Sequence, residues 1–145
     1  MKLSPKGIVY VLVVKTDKKT LKIGALGTLE FDGTYAYVGS DQRGGRLARH
    51  IRKGKVLKWH IDNLTEVSEI QGAWILPLSQ ENESEFAKHL AKYFPVIQGF
   101  CSSDCKDAGH LFRVDEELEQ VVAEFAEHKG VAYKRWEQNS KNSPA

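Results

Sequence analysis

Residues 7–15 read GIVYVLVVK, a nearly unbroken β-branched and aromatic run. Such a run fits a buried strand better than any other element, so the chain must supply a sheet around it. The polar triplet Asp17-Lys18-Lys19 predicts a turn, after which residues 20–23 alternate as a half-buried strand does. A further short strand is expected over residues 28–31. Asp32-Gly33 then reads as a hairpin turn, because glycine accepts the positive φ that such a turn needs. Residues 34–40 follow as a strand. The first forty residues therefore predict an antiparallel sheet with Tyr10 and Tyr37 on its two long strands.

Gly44-Gly45 breaks that pattern. The sequence resumes as a short amphipathic helix over 46–53, with Leu47 and Ile51 one turn apart and Arg46 and His50 sharing an adjacent stripe. Residues 58–64 (KWHIDNL) fit either a second short helix or a structured loop. Here His60 and Asp62 read as a second functional cluster or as a hydrogen-bonded corner, and the corner is preferred, because Asp62 can act as a cap and Trp59 would bury well. Residues 67–78 contain another strand, ended by Pro77. From Ser79 the pattern turns helical: Phe86, Ala87, Leu90 and Phe94 recur at three- and four-residue spacing, and Pro95 stops the run. One turn back from Phe86 and Ala87 lies Glu83, a carboxylate on the core side. Glu85 falls off that stripe, where it could form a capping box with Asn82. Residues 97–109 read as a Gly/Ser/Asp-rich loop, and 110–114 as a short strand. Asp115 caps a last helix with an apolar stripe of Leu118, Val121, Val122, Phe125 and Ala126, and Gly130 ends it. Residues 138–145 read as a disordered tail. The expected class is α+β: one domain over 1–137, a small antiparallel or mixed sheet flanked by helices, with a hairpin inserted between the two tyrosine strands.

Charge is distributed unevenly. The net charge is only +2, yet residues 43–58 hold seven of the 21 Lys and Arg and none of the 19 Asp and Glu. The remainder is mildly acidic. A local cationic patch favours a polyanion, with affinity that falls as salt rises. The alternative is a solvated helix face.

At 145 residues the chain can bury a core without metal or disulfide support. No apolar run approaches the ~20 residues that span a bilayer, and no signal-peptide core precedes the first strand, so a cytoplasmic location with no membrane partner is expected. Cys101 and Cys105 are too few for a secreted disulfide scaffold and read as thiols. With Asp104 and His110 they carry zinc-binding atoms, but the spacing is not that of a standard finger, so a loop lining a cleft is preferred.

Taken in order, Gly7-Ile8-Val9-Tyr10, Tyr37-Val38-Gly39-Ser40 and Arg46-Leu47-Ala48-Arg49-His50 resemble the signature of the GIY-YIG nucleases. Together with KWHIDNL, the Glu83 helix and GFCSSDC…HLF, they resemble most closely the Uri superfamily of GIY-YIG-like endonucleases, over residues 7–114. Three departures are visible. Tyr10 and Tyr37 lie farther apart than the family pattern, Val9 interrupts the literal GIY triplet, and the asparagine expected after the glutamate helix is missing, its task uncovered, with the Asp104 loop as a candidate substitute.

The resemblance implies a metal-dependent endonuclease that hydrolyses phosphodiester bonds. Glu83 would anchor one Mg²⁺ or Mn²⁺, Arg46 would hold the scissile phosphate, and Tyr10 would act as general base. A tyrosine pKa of about 10 is too high for that task unaided, so a nearby cation or metal-bound water must assist it. Tyr37 and His50 would orient water or phosphate. Arg43, Arg49, Arg52, Lys53, Lys55 and Lys58 would follow the nucleic-acid backbone, and His60, Asp62, Asp104 and His110 would line the cleft. DNA is the expected substrate, cut with structural or weak sequence selectivity, because no helix-turn-helix, finger or long basic tail accompanies the unit. A homodimer or a partner protein could add specificity. Two alternatives compete: a non-catalytic nucleic-acid-binding module of the same fold, and a zinc-dependent small-molecule enzyme centred on the cysteine loop.

Overall fold

The computed structural model describes residues 7–22, 27–41, 60–97 and 109–137, with the backbone alone at positions 60, 62, 63 and 80. Strand β1 (Ile8–Lys22) contains the opening apolar run and pairs antiparallel with β2 (Thr28–Asp41) along nearly its whole length. The polar turn expected at 17–19 and the hairpin turn expected at Asp32-Gly33 are both replaced by continuous ladder. A bulge explains the difference. Thr16 pairs with Gly33 and Lys19 with Phe31, so Asp17 and Lys18 oppose the single residue Asp32. Gly33 has the positive φ of +115° that its sequence suggested, but spends it on the irregularity in the ladder. The Tyr35 hydroxyl accepts the Asp32 N–H at 2.9 Å and steadies the same place. The inserted hairpin is thus the outer half of one long β1–β2 hairpin.

Among the described residues six strands form one sheet in the order β4-β5-β2-β1-β3-β6. The others are β3 (Glu69–Leu76), β4 (Val96–Ile97), β5 (Leu111–Arg113) and β6 (Lys134–Glu137), and every pairing is antiparallel. The class is α+β. With β1 and β2 central, the apolar run is flanked by a strand on each side and covered on both faces. Val9, Val11 and Val13 share one core with Phe86, Ala87 and Leu90 of α2 (Glu83–Ala91) and with Val121, Val122 and Phe125 of α3 (Leu118–Lys129). Tyr10, Leu12 and Val14 face the other way, in a second core with Phe31, Tyr35, Tyr37 and, from α1 (His60–Val67), Ile61 and Leu64. The two-residue alternation of a strand makes that division.

The helices follow the apolar spacing. Phe86 and Phe125 stack at 4.5 Å and 10°, locking α2 onto α3. Glu83 is buried on the core side, as its position predicts. The capping box is not formed. A 3-10 turn over Gln80–Asn82 runs directly into α2, so Asn82 already has helical φ and ψ, and its side chain donates instead to Glu85 Oε1 at 3.4 Å. Asp115 is not the N-cap, which is Glu117; its Oδ1 accepts the Glu117 N–H at 2.9 Å in the turn that leads into the helix, and Gly130 ends α3 with a left-handed φ of +68°. From His60 onward the KWHIDNL segment is helical, and α1 runs on to Val67. Asp62 therefore lies within the helix rather than at its N-cap. The expected helix over 46–53, most of the 97–109 loop and the tail lie outside the described residues. No helix among the described residues is long and apolar enough to cross a membrane.

Candidate functional site

Chemistry-bearing side chains collect where β2 ends. There Gly39 pairs with Tyr10, Ser40 with Val9 and Asp41 with Ile8. Residues directly opposite in an antiparallel pair share a face, so Tyr10 lies alongside Gly39 while Ser40 points with Val9 towards α2. The first of these contacts is tight. A Cβ on Gly39 would stand 2.5 Å from the Tyr10 hydroxyl oxygen and 2.6 Å from its ring carbon, so the missing side chain is the slot that the phenol occupies.

On the opposite face, the Ser40 hydroxyl donates to Glu83 Oε1 at 2.6 Å. His110 Nδ1 lies 3.0 Å from Glu83 Oε2, an ion-pair distance, although the ring N–H is not well aligned with that oxygen. All three residues are buried: Ser40 is 1%, His110 1% and Glu83 6% exposed. A carboxylate removed from water needs such partners, and a short O–H···O⁻ bond is among the stronger ones. Glu83 opens α2, where the helix dipole also favours negative charge. His110 is held in turn by its backbone, whose carbonyl accepts the Val38 N–H at 2.9 Å. The end of β2, the start of α2 and the approach to β5 are thereby tied at one carboxylate.

The residues expected to act together fall into two layers. Tyr10 and Tyr37 are in the α1-side core, where Tyr37 pairs with Leu12 and Leu111 and is 1% exposed. Glu83 and His110 are on the α2 side. The fold thus brings Tyr10 and Tyr37 together, and Glu83 and His110 together, on either side of the same strand end. Arg43, Arg46, Arg49, His50, Arg52, Lys53, Lys55, Lys58 and Asp104 lie outside the described residues. His60 and Asp62 are placed only as backbone positions of α1. The sequence reading passed over Ser40 as a partner for Glu83. Alternation carried the signal, since Ser40 stands two residues from Val38 and shares its face.

Among the described residues no group of three or more His, Cys, Asp and Glu is arranged to hold a metal. Glu83 offers a single buried carboxylate with Ser40 and His110 against its two oxygens. One carboxylate could serve only a hard cation that keeps most of its waters, not an all-protein cage.

No curated protein and no solved structure matches the chain. A family model described as "Domain of unknown function DUF123" matches residues 9–131, a span that runs from β1 through the end of α3 and includes Tyr10, Tyr37, Ser40, Glu83 and His110. The chain belongs to the DUF123 family.

Proposed function

We propose that this protein is a divalent-cation-dependent endonuclease of the GIY-YIG type, related to the Uri superfamily, that hydrolyses phosphodiester bonds of DNA. The observation that carries the reading is Glu83: a buried carboxylate fixed at the end of β2, directly before a segment with seven cations and no acid. Ser40, which holds that carboxylate, thus lies three positions before the first cation of the segment.

In this reading Glu83 holds Mg²⁺ or Mn²⁺, which when bound supplies positive charge to the phosphate and to the water beside it. Arg46 offers a planar fork of N–H donors to the scissile phosphate, and His50 orients water or phosphate. Arg43, Arg49, Arg52, Lys53, Lys55 and Lys58 fix the strand through its backbone, a sequence-independent contribution. Tyr10, the base that the family resemblance implies, and Tyr37 lie in the α1-side layer, across the sheet from Glu83. Both rings are buried, so the reading rests more on Glu83 than on them.

A second reading, a nucleic-acid-binding module that does not cut, is favoured by two observations. Both Glu83 oxygens already have protein contacts, and Tyr10 and Tyr37 pack as core residues. Incubating wild-type and Glu83→Ala protein with single-stranded, duplex and branched DNA in Mg²⁺ or Mn²⁺ separates the two. Nicking by wild type alone, with binding retained by both, supports the nuclease. Binding without cleavage by wild type on every substrate supports the module.

A further inference from the structure

Arg113, the last residue of β5, is an exposed cation with a seat of its own. It pairs across the ladder with Tyr35, so both side chains lie on the α1-side face, and its guanidinium carbon stands 5.6 Å from the Tyr35 ring centroid. The head also fills the space that Gly33 leaves open. A Cβ on Gly33 would come within 2.5 Å of Arg113 Nη2 and 2.8 Å of its Nε and Cζ. What this guanidinium lacks is a counter-charge: among the described residues it makes no ion pair and no hydrogen bond, and Asp32, next to Gly33 in the chain, does not pair with it. Five N–H donors on a planar frame, seated on a ring and carrying an unneutralised charge, suit an incoming oxyanion, because little further ordering is needed when it binds.

We propose that Arg113 is a phosphate contact, binding a phosphodiester of a nucleic-acid backbone that also lies on the cations of residues 43–58. This inference rests on the reading of the chain as a nucleic-acid-binding protein, and it holds whether or not the protein cuts. Strand β2 sets the span. From Tyr35, opposite Arg113, to Asp41, two residues before that segment begins, the strand advances about 20 Å. At one phosphate per about 3.4 Å of axis on each strand, this is about six base pairs of duplex. A free phosphate cannot bridge such a distance and a polymer backbone can.

Lys15 supplies the control. It is exposed, has the same charge and no ion pair, and pairs with Thr34, so by strand alternation it faces the α3 side, away from Arg113. Fluorescence anisotropy of the full chain with DNA longer than the span, across a salt series without divalent cation, reads binding apart from cleavage. Arg113→Gln should lower the slope of log affinity against log salt by about 0.9 on duplex or 0.7 on a single strand, and weaken binding by about 5- to 10-fold near 0.1 M salt. Arg113→Lys, which keeps the charge, should keep the slope, and Lys15→Gln should match wild type in both slope and affinity. Circular dichroism shows whether each variant is folded. In wild type itself the Arg113 Nε–H resonance should shift when DNA is added, a readout that needs no variant. An unchanged slope in folded Arg113→Gln, an equal loss in Lys15→Gln, or an Nε–H resonance that does not move overturns the contact alone. Absence of salt-dependent binding by wild type to duplex and single-stranded DNA overturns it together with the reading beneath it.

Discussion

The Tyr10 hydroxyl occupies the space that any side chain on Gly39 would need, 2.5 Å from the position of a Cβ there. The glycine of the Tyr-Val-Gly-Ser segment is thus a packing requirement set by its cross-strand partner. Gly39→Ala should overpack this contact and destabilise the protein by about 1–3 kcal/mol, because Tyr10 has no exposed direction in which to move. Thermal and urea unfolding measure the cost. In a double-mutant cycle with Tyr10→Ala, which opens the slot, the penalty of Gly39→Ala should largely vanish. Additive costs would show that the two residues do not meet in this way.

The stack of Phe86 on Phe125 joins α2 to α3 and so holds the helix that carries Glu83. Phe86→Ala should cost about 3–5 kcal/mol in urea unfolding, the range for a buried aromatic truncated to a small side chain. Phe86→Leu, which keeps most of the apolar volume, should cost clearly less.

Glu85 lies just outside the buried layer and pairs with Lys129 at the far end of α3. The hydrogen bond from Lys129 holds its carboxyl below the usual carboxylate range. A depressed folded-state pKa contributes stability that is present above the unfolded value and is lost as pH falls through the folded one. Glu85 is 45% exposed, so the contribution is that of a surface pair, about 0.2–1 kcal/mol. In Lys129→Met, NMR titration should find the Glu85 pKa raised towards its ordinary value, and the acid side of the stability profile slightly flattened.

The cations of residues 43–58 divide by role in the proposed reaction. Arg46→Ala should abolish cleavage with a modest loss of DNA binding. Neutralising Arg52 or Lys53 should weaken binding and reduce the salt slope by about one unit per lost phosphate contact while turnover of bound substrate persists. Fluorescence anisotropy across a salt series, paired with single-turnover cleavage, measures both.

How far the fold was legible depended on how local each signal was. The burial of β1, the apolar stripes of α2 and α3, the inward turn of Glu83 and the left-handed Gly130 follow from periodicity and backbone preference within single segments. The bulge at Thr16 and Lys19 did not, because Asp17-Lys18-Lys19 and Asp32-Gly33 have turn chemistry, and only their pairing across the hairpin shows that both lie in the ladder. Strand β4 has two residues, and β6 buries only Trp136, so neither produces a pattern of useful length. At the candidate site, Glu83 was visible as an inward carboxylate, whereas its partners Ser40 and His110 come from distant positions. The division of the tyrosines from Glu83 was already implicit in strand alternation, since Tyr10 and Val9 cannot face the same way.

The proposed function turns on Glu83 as a divalent-cation ligand. Anomalous diffraction from crystals of the wild-type protein soaked in Mn²⁺, with a Glu83→Ala crystal treated alike, tests it most directly. A Mn²⁺ peak within coordinating distance of a Glu83 oxygen is expected in wild type, and its disappearance in the variant. A fully soaked wild-type crystal with no peak at Glu83, or a peak that survives Glu83→Ala, would contradict it.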